Sequence, residues 1–248
     1  FDQVSVTTKR PINNLLICTK SWAAKDALAS VTNCLSPGSQ VVLLCNGMGI
    51  AESLIPLIKR NRMLAIGSTT AGCRIDEQGI LHVSNEGSTC MGWFKKKQAQ
   101  PTWTAIWTHG VSKFSWEDDV LPSLLEKTAI NAVINPLTAI HKISNGELLS
   151  KTMEELRIRV TSEVQSLLNA AGEHNIASRL PSRVEQICRL TSTNQSSMRV
   201  DLERGRKTEI DSIVTWFLNS KTSLTKPPHT PTLSMLRDKI KKAEPKSR

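Results

Sequence analysis

Residues 127–140, KTAINAVINPLTAI, carry the side chains best suited to chemistry. Lys127, Asn131 and Asn135 recur every four positions, so on a helix they stand one above another on a single face. Nearly everything between them is apolar, including Ala129, Ile130, Ala132, Val133 and Ile134. A helix apolar around most of its girth is buried. A lysine and two amides along it then face a polar cavity or a ligand, because an unpaired buried polar group costs about 1–3 kcal/mol. Lysine desolvated in a cleft can serve as a general acid or as a Schiff-base nucleophile. The same spacing also suits a solvent-facing stripe on a surface helix, which would carry no chemistry. Three further segments are rich in amides, hydroxyls and carboxylates: Ser144-Asn145-Gly146-Glu147-Leu148, Asn194-Gln195-Ser196-Ser197-Met198, and Thr208-Glu209-Ile210-Asp211. Taken alone, the first reads as a turn with an exposed amide, and the other two as helix caps.

The stripe-bearing helix can begin at Pro122, since a first turn tolerates proline, and Pro136 should end or kink it. Upstream, residues 14–19, 40–45 and 62–66 are short apolar runs, with helix-compatible stretches at 23–31 and 51–58 between them. Strand, helix, strand, helix, strand is the grammar of a parallel sheet with crossover helices. Residues 79–83 and 92–94 read as later strands or hairpin pieces. From Glu117 the pattern turns helical. Met153, Leu156, Val160, Val164 and Leu167 keep helical spacing up to a stop at Gly172. Val184, Ile187 and Leu190 form another stripe, and Ile210, Ile213, Val214 and Phe217 a third. Pro227, Pro228 and Pro231 break the chain before a basic tail. The domain boundary falls between Lys113 and Asp118.

The 248 residues can bury a real core, and no apolar run approaches the roughly 20 residues that cross a bilayer. No basic-then-apolar leader follows Phe1, so no signal peptide is visible. The six cysteines form no CxxC pair and several sit in apolar runs, which predicts buried free thiols in a reducing, cytoplasmic setting. The five histidines show no metal-ligand spacing, so no metal is expected. A net charge of +10 gathers partly in Lys95-Lys96-Lys97 and in residues 237–248. These read as a solvated run and a frayed tail; no nucleic-acid recognition motif accompanies them.

KTAINAVINPLTAI, SNGEL and NQSSMRVDLERGRKTEID, in this order and spacing, resemble the C-terminal domain of ketopantoate reductases. TKSW with Lys20, CNGMG with Asn46, GSTTAG and HVSNEG look like later motifs of that family's cofactor domain. The resemblance runs from Asn14 to about Leu233. It implies an α/β plus all-α fold: a Rossmann dinucleotide-binding domain over residues 1–115, then a helical, 6-phosphogluconate dehydrogenase C-terminal-like domain over 116–248. By resemblance Lys127 is the general acid, and Asn131, Asn135, Asn145 and Ser197 orient the substrate. Lys20, Asn46, Cys73 and Glu209 lie on the NADPH side. The implied activity is reduction of 2-dehydropantoate to pantoate, in pantothenate synthesis, by a cytoplasmic enzyme that takes a small 2-oxo acid and can form a homodimer. The alternatives are a paralogous 2-oxo-acid reductase, or a binding protein that has lost its cofactor. The glycine-rich GxGxxG turn does not occur, which reads as an N-terminally truncated nucleotide domain that holds NADPH weakly. Leu125 stands where the family has a tryptophan, and Ala71 where it has a histidine.

Overall fold

The computed structural model describes residues 11–58, 62–75, 78–95, 98–110, 113–220 and 227–245. Its contacts divide the chain into two units, Phe1–Cys45 with Gly49–Leu124, and Asn46–Met48 with Leu125–Arg248.

In the first unit β1 (Ile12–Ile17), β2 (Leu35–Leu43) and β3 (Met63–Thr69) pair in parallel. The helix α1 (Ala24–Val31) lies between β1 and β2, and the short α2 (Ile50–Leu54) between β2 and β3, as parallel strands require a crossover. Val41, Val42 and Leu43 are all buried, which is why the middle strand reads as an unbroken apolar run. The strands β4 (Gly72–Ile75) and β5 (Leu81–Asn85) form a separate antiparallel pair. β6 (Thr89–Trp93) joins the main sheet antiparallel to β3. After α3 (Ala105–Gly110), β7 (Phe114–Trp116) adds parallel to β6, so the Rossmann-type parallel half is extended by two reversed strands in the order β1-β2-β3-β6-β7. Trp93 and Trp103 both meet Trp116 edge-on, at 5.3 and 6.2 Å between ring centroids, and close one face of that extension. Behind β1 and β2 the loops are tied together: Leu44 N–H donates to Ile17 O, and the Cys45 thiol donates to Thr19 O at 3.0 Å. Lys20 sits half-buried in the first of these loops.

The helix α4 (Leu121–His141) begins at the end of the first unit and becomes the buried helix of the second. Around it lie α5 (Lys151–Ala170), α6 (His174–Leu190), α7 (Ser197–Glu203), α8 (Trp216–Ser220) and α9 (Pro231–Ala243). Leu137, Val164, Leu180, Val184, Phe217 and Leu236 share one core. The stripes expected at 153–167 and 210–217 are inward faces of this bundle; in the stripe expected at 184–190, Val184 is buried and Ile187 packs against the core, whereas Leu190 is 73% exposed.

Several expectations need correction. Pro136 lies inside α4 instead of ending it. Leu137 and Ala139 are anchored in the core beyond it, and Thr138 Oγ1 bonds the carbonyls of Ile134 and Asn135, so burial outweighs the lost N–H. The basic tail is not frayed as far as Ala243: Leu233, Leu236 and Ile240 of α9 are buried. Its first turn is capped from outside by the buried Glu163, whose carboxylate accepts from Thr232 N and Leu233 N at 3.0 and 2.7 Å. All six thiols are free, but only Cys188 is buried; Cys18 and Cys73 are exposed. Lys95 places its ammonium over the Phe94 ring, while Lys96, Lys97 and residues 246–248 lie outside the described residues. Among the described residues no group of acidic, His or Cys side chains could hold a metal, and no helix is long and apolar enough to cross a membrane.

Candidate active site

Within the second unit Lys127, Asn46 and Glu209 form one hydrogen-bonded chain. Lys127 Nζ donates to Asn46 Oδ1 at 2.9 Å, and Asn46 Nδ2 donates to Glu209 Oε2 at 3.3 Å. The amide can stand only one way, its acceptor toward the cation and its donor toward the carboxylate. Glu209 is 4% exposed, and a polar side chain so buried needs hydrogen-bond donors.

Backbone contacts hold Asn46 in place. Met48 N–H donates to Ser212 O at 2.9 Å, and Ser212 Oγ donates to Asn46 O at 3.3 Å. Gly47, at φ +93°, lies so close that a Cβ there would stand 2.6 Å from Ser212 O. Ser212 itself belongs to a π-helical turn, Asp211–Thr215, just past Glu209, and such turns recur at functional sites. The predicted helix thus starts as a wider coil. Neither Gly47 nor Ser212 was distinguishable in the sequence; the adjacency of CNGMG to a segment 165 positions later is a purely tertiary fact.

Asn131 is half-buried and Asn135 is 6% exposed, each on the Lys127 face of α4. Neither amide pairs with protein among the described residues. One turn below Asn135, the fully buried Thr138 pairs its hydroxyl with Ser196 Oγ at 2.7 Å. Ser196 caps α7 by accepting from Arg199 N, so the expectation of a cap holds for Ser196. That leaves its neighbour Ser197 exposed at the helix start, with no partner for its hydroxyl among the described residues. Asn145, expected as an exposed amide, is instead only 8% exposed, because its backbone pairs with Asn194 O and its Nδ2 donates to Thr191 Oγ1 at 2.9 Å. Its Oδ1 has no partner. Lys20 belongs to the first unit, at the C-terminal end of β1, and Cys73 lies exposed on β4 opposite Val83. Leu125 fills the helical core, so the missing tryptophan is replaced by a packing residue.

Two family models match this chain, Ketopantoate reductase PanE/ApbA over residues 2–96 and its C-terminal counterpart over residues 119–244. The chain belongs to the ketopantoate reductase family. It is 33% identical over 210 residues to a 2-dehydropantoate 2-reductase of Yersinia pestis, covering 84% of this chain and 67% of that protein. A 2-dehydropantoate 2-reductase of Shigella flexneri is 34% identical over 200 residues, covering 80% and 64%. The chain therefore spans about two thirds of the length of these ketopantoate reductases. A D-mandelate dehydrogenase solved with NADH and anilino(oxo)acetate shares the fold at a TM-score of 0.84 and 18% identity, over 96% of this chain and 78% of that one.

Proposed function

We propose that this protein reduces 2-dehydropantoate to pantoate with NADPH, in pantothenate biosynthesis, and that Lys127 is its proton donor. The observation that carries the reading is the Lys127–Asn46–Glu209 chain, an ammonium held by an amide that is itself held by a buried carboxylate. Open α/β sheets bind ligands beyond the C-terminal ends of their parallel strands. Lys20 follows β1 at such an end, and the Cys45–Thr19 contact ties the loops after β1 and β2 together, so a cation is available there for the phosphates of the cofactor. The Asn46 amide serves the nicotinamide. Cys73 contributes through its backbone.

NADPH, when bound, would supply the hydride for the carbonyl carbon of the 2-oxo acid. Lys127 Nζ holds the proton that passes to the ketone oxygen, and its charge stabilises the oxygen as negative charge grows. Glu209 holds the Asn46 amide, and Asn46 in turn holds the Lys127 ammonium in place. Asn131, Asn135, Asn145 and Ser197 supply the polar groups that orient the substrate. A cytoplasmic location and a homodimer belong to the same proposal.

The test is NADPH oxidation by the full-length protein with 2-dehydropantoate, against a panel of other 2-oxo acids. Lys127→Ala should lower kcat by roughly 10²–10⁴-fold. Lys127→Arg should not restore it, because a guanidinium keeps its proton near neutral pH. A folded Lys127→Ala variant with near-normal kcat removes the lysine as acid; preference for a different 2-oxo acid removes the substrate.

A further inference from the structure

The turn that carries Glu209 is held from the end of α9. Glu244 closes that helix: its N–H donates to Ile240 O at 3.0 Å and its backbone is extended. Its carboxylate reaches back to Thr208, where the single oxygen Oε1 accepts from Thr208 N at 2.8 Å and from Thr208 Oγ1 at 2.6 Å. The Thr208 hydroxyl has one proton and gives it to Glu244, so toward Ile210 it can only accept; Ile210 N–H donates to it at 3.2 Å. Thr208 and Ile210 are buried on either side of Glu209, so both neighbours of that residue are tied, directly or through one hydroxyl, to a carboxylate 36 positions beyond Thr208.

The stability of α9 does not call for an acid at this place. Helix C-termini favour cations, and α9 already has Lys241 and Lys242 in its last turn. A carboxylate at position 244 runs against that preference. The other polar link from α9 to this region, Lys241 Nζ to Asp211 Oδ2, joins side chains 41% and 50% exposed, and pairs so exposed contribute little. The bond from Asn46 Nδ2 to Glu209 Oε2, at 3.3 Å, is already long, so a shift of a few tenths of an ångström in the 208–210 backbone breaks it.

We propose that Glu244 is a positioning residue: by holding Thr208 it sets the backbone from which Glu209 reaches Asn46, and thereby the place of the Lys127 ammonium. This rests on the proposed role of Lys127 as proton donor. Glu244 acts through Thr208 and needs no contact with substrate or cofactor. What the role requires is an acceptor oxygen, since both bonds are donated to it.

The experiment uses steady-state NADPH oxidation by the full-length protein. Glu244→Ala should lower kcat about tenfold or more, with KM for 2-dehydropantoate within about twofold, the split expected when a proton donor is misplaced and substrate binding is not. Glu244→Gln keeps an acceptor oxygen and should hold kcat within about twofold of wild type. Lys241→Ala cuts only the exposed link and should leave kcat unchanged. Near-normal kcat in a folded Glu244→Ala variant would overturn the proposal, and so would an equal loss in Glu244→Gln or in Lys241→Ala. Should Glu244→Ala fail to fold, Thr208→Ala against Thr208→Ser reads the same link, since only serine keeps the hydroxyl. A wild-type protein inert toward 2-dehydropantoate, or unaffected by Lys127→Ala, overturns instead the function on which this rests. Amide hydrogen exchange at Thr208 and Ile210 then decides the link by itself: faster exchange in Glu244→Ala supports it, and unchanged exchange overturns it.

Discussion

Replacing Gly47 by alanine tests whether the placement of Asn46 depends on the 46–48 segment lying against Ser212. The new Cβ would meet Ser212 Oγ, Cβ and O at 2.4, 2.5 and 2.6 Å. The serine oxygen could swing aside; the backbone carbonyl cannot. A positive φ adds about 1–2 kcal/mol for a residue with a Cβ, and forced overpacking adds about 1–3 kcal/mol, so the insult totals roughly 2–5 kcal/mol. The segment is held by Met48 N to Ser212 O, Ser212 Oγ to Asn46 O, and the two Asn46 side-chain bonds. At about 0.5–1.5 kcal/mol each, these four bonds amount to roughly 2–6 kcal/mol, so the penalty matches what holds the segment down. The segment should therefore lift off and carry Asn46 away from Lys127 and Glu209, while the helical core stays folded. We expect kcat to fall at least about a hundredfold, the scale of losing a positioned acid, with a melting-temperature loss of only a few degrees. Steady-state NADPH oxidation and thermal melts measure both. Adding Ser212→Gly should restore activity only partly, because Ser212 O remains. Near-normal kcat in Gly47→Ala would refute the reasoning, since Asn46 would then not need the close approach.

Two other outcomes follow from the packing. Glu163→Ala strands the N–H groups of Thr232 and Leu233 at the buried start of α9, and should cost about 2–4 kcal/mol by urea denaturation, with Glu163→Gln recovering part of it. An unchanged midpoint would mean that α9 is held by its apolar face alone. Burial pushes the Cys188 thiol up from 9.0 to about 11. Its contribution to stability is thus complete below about pH 9, where the unfolded thiol is also neutral, and is lost as pH rises through 11. A disulfide reagent at pH 8 should modify the exposed Cys18 and Cys73 in native protein and reach Cys188 only on unfolding; rapid native labelling of Cys188 would contradict its burial.

The sequence alone determined what depends on neighbours along the chain. Periodicity placed the apolar runs that became β1, β2 and β3 and the stripes that became α4, α5 and α6, because both patterns record which faces meet a core. The i, i+4, i+8 spacing likewise set Lys127, Asn131 and Asn135 on one face of α4. Where local rules competed with packing, the sequence left the outcome open: Pro136 reads as a stop or a kink, and the burial of Leu137 and Ala139 carries the helix through. Asn145 reads as a turn amide, yet pairing with Thr191 and Asn194 buries it. Only the tertiary structure could decide that Asn46 joins Lys127 to Glu209, that Ser212 fixes that join, and that Thr191 dictates which way the Asn145 amide stands. Those relations link residues between 46 and 166 positions apart. A hydrogen bond depends on distances of a few tenths of an ångström, which no one-dimensional pattern records.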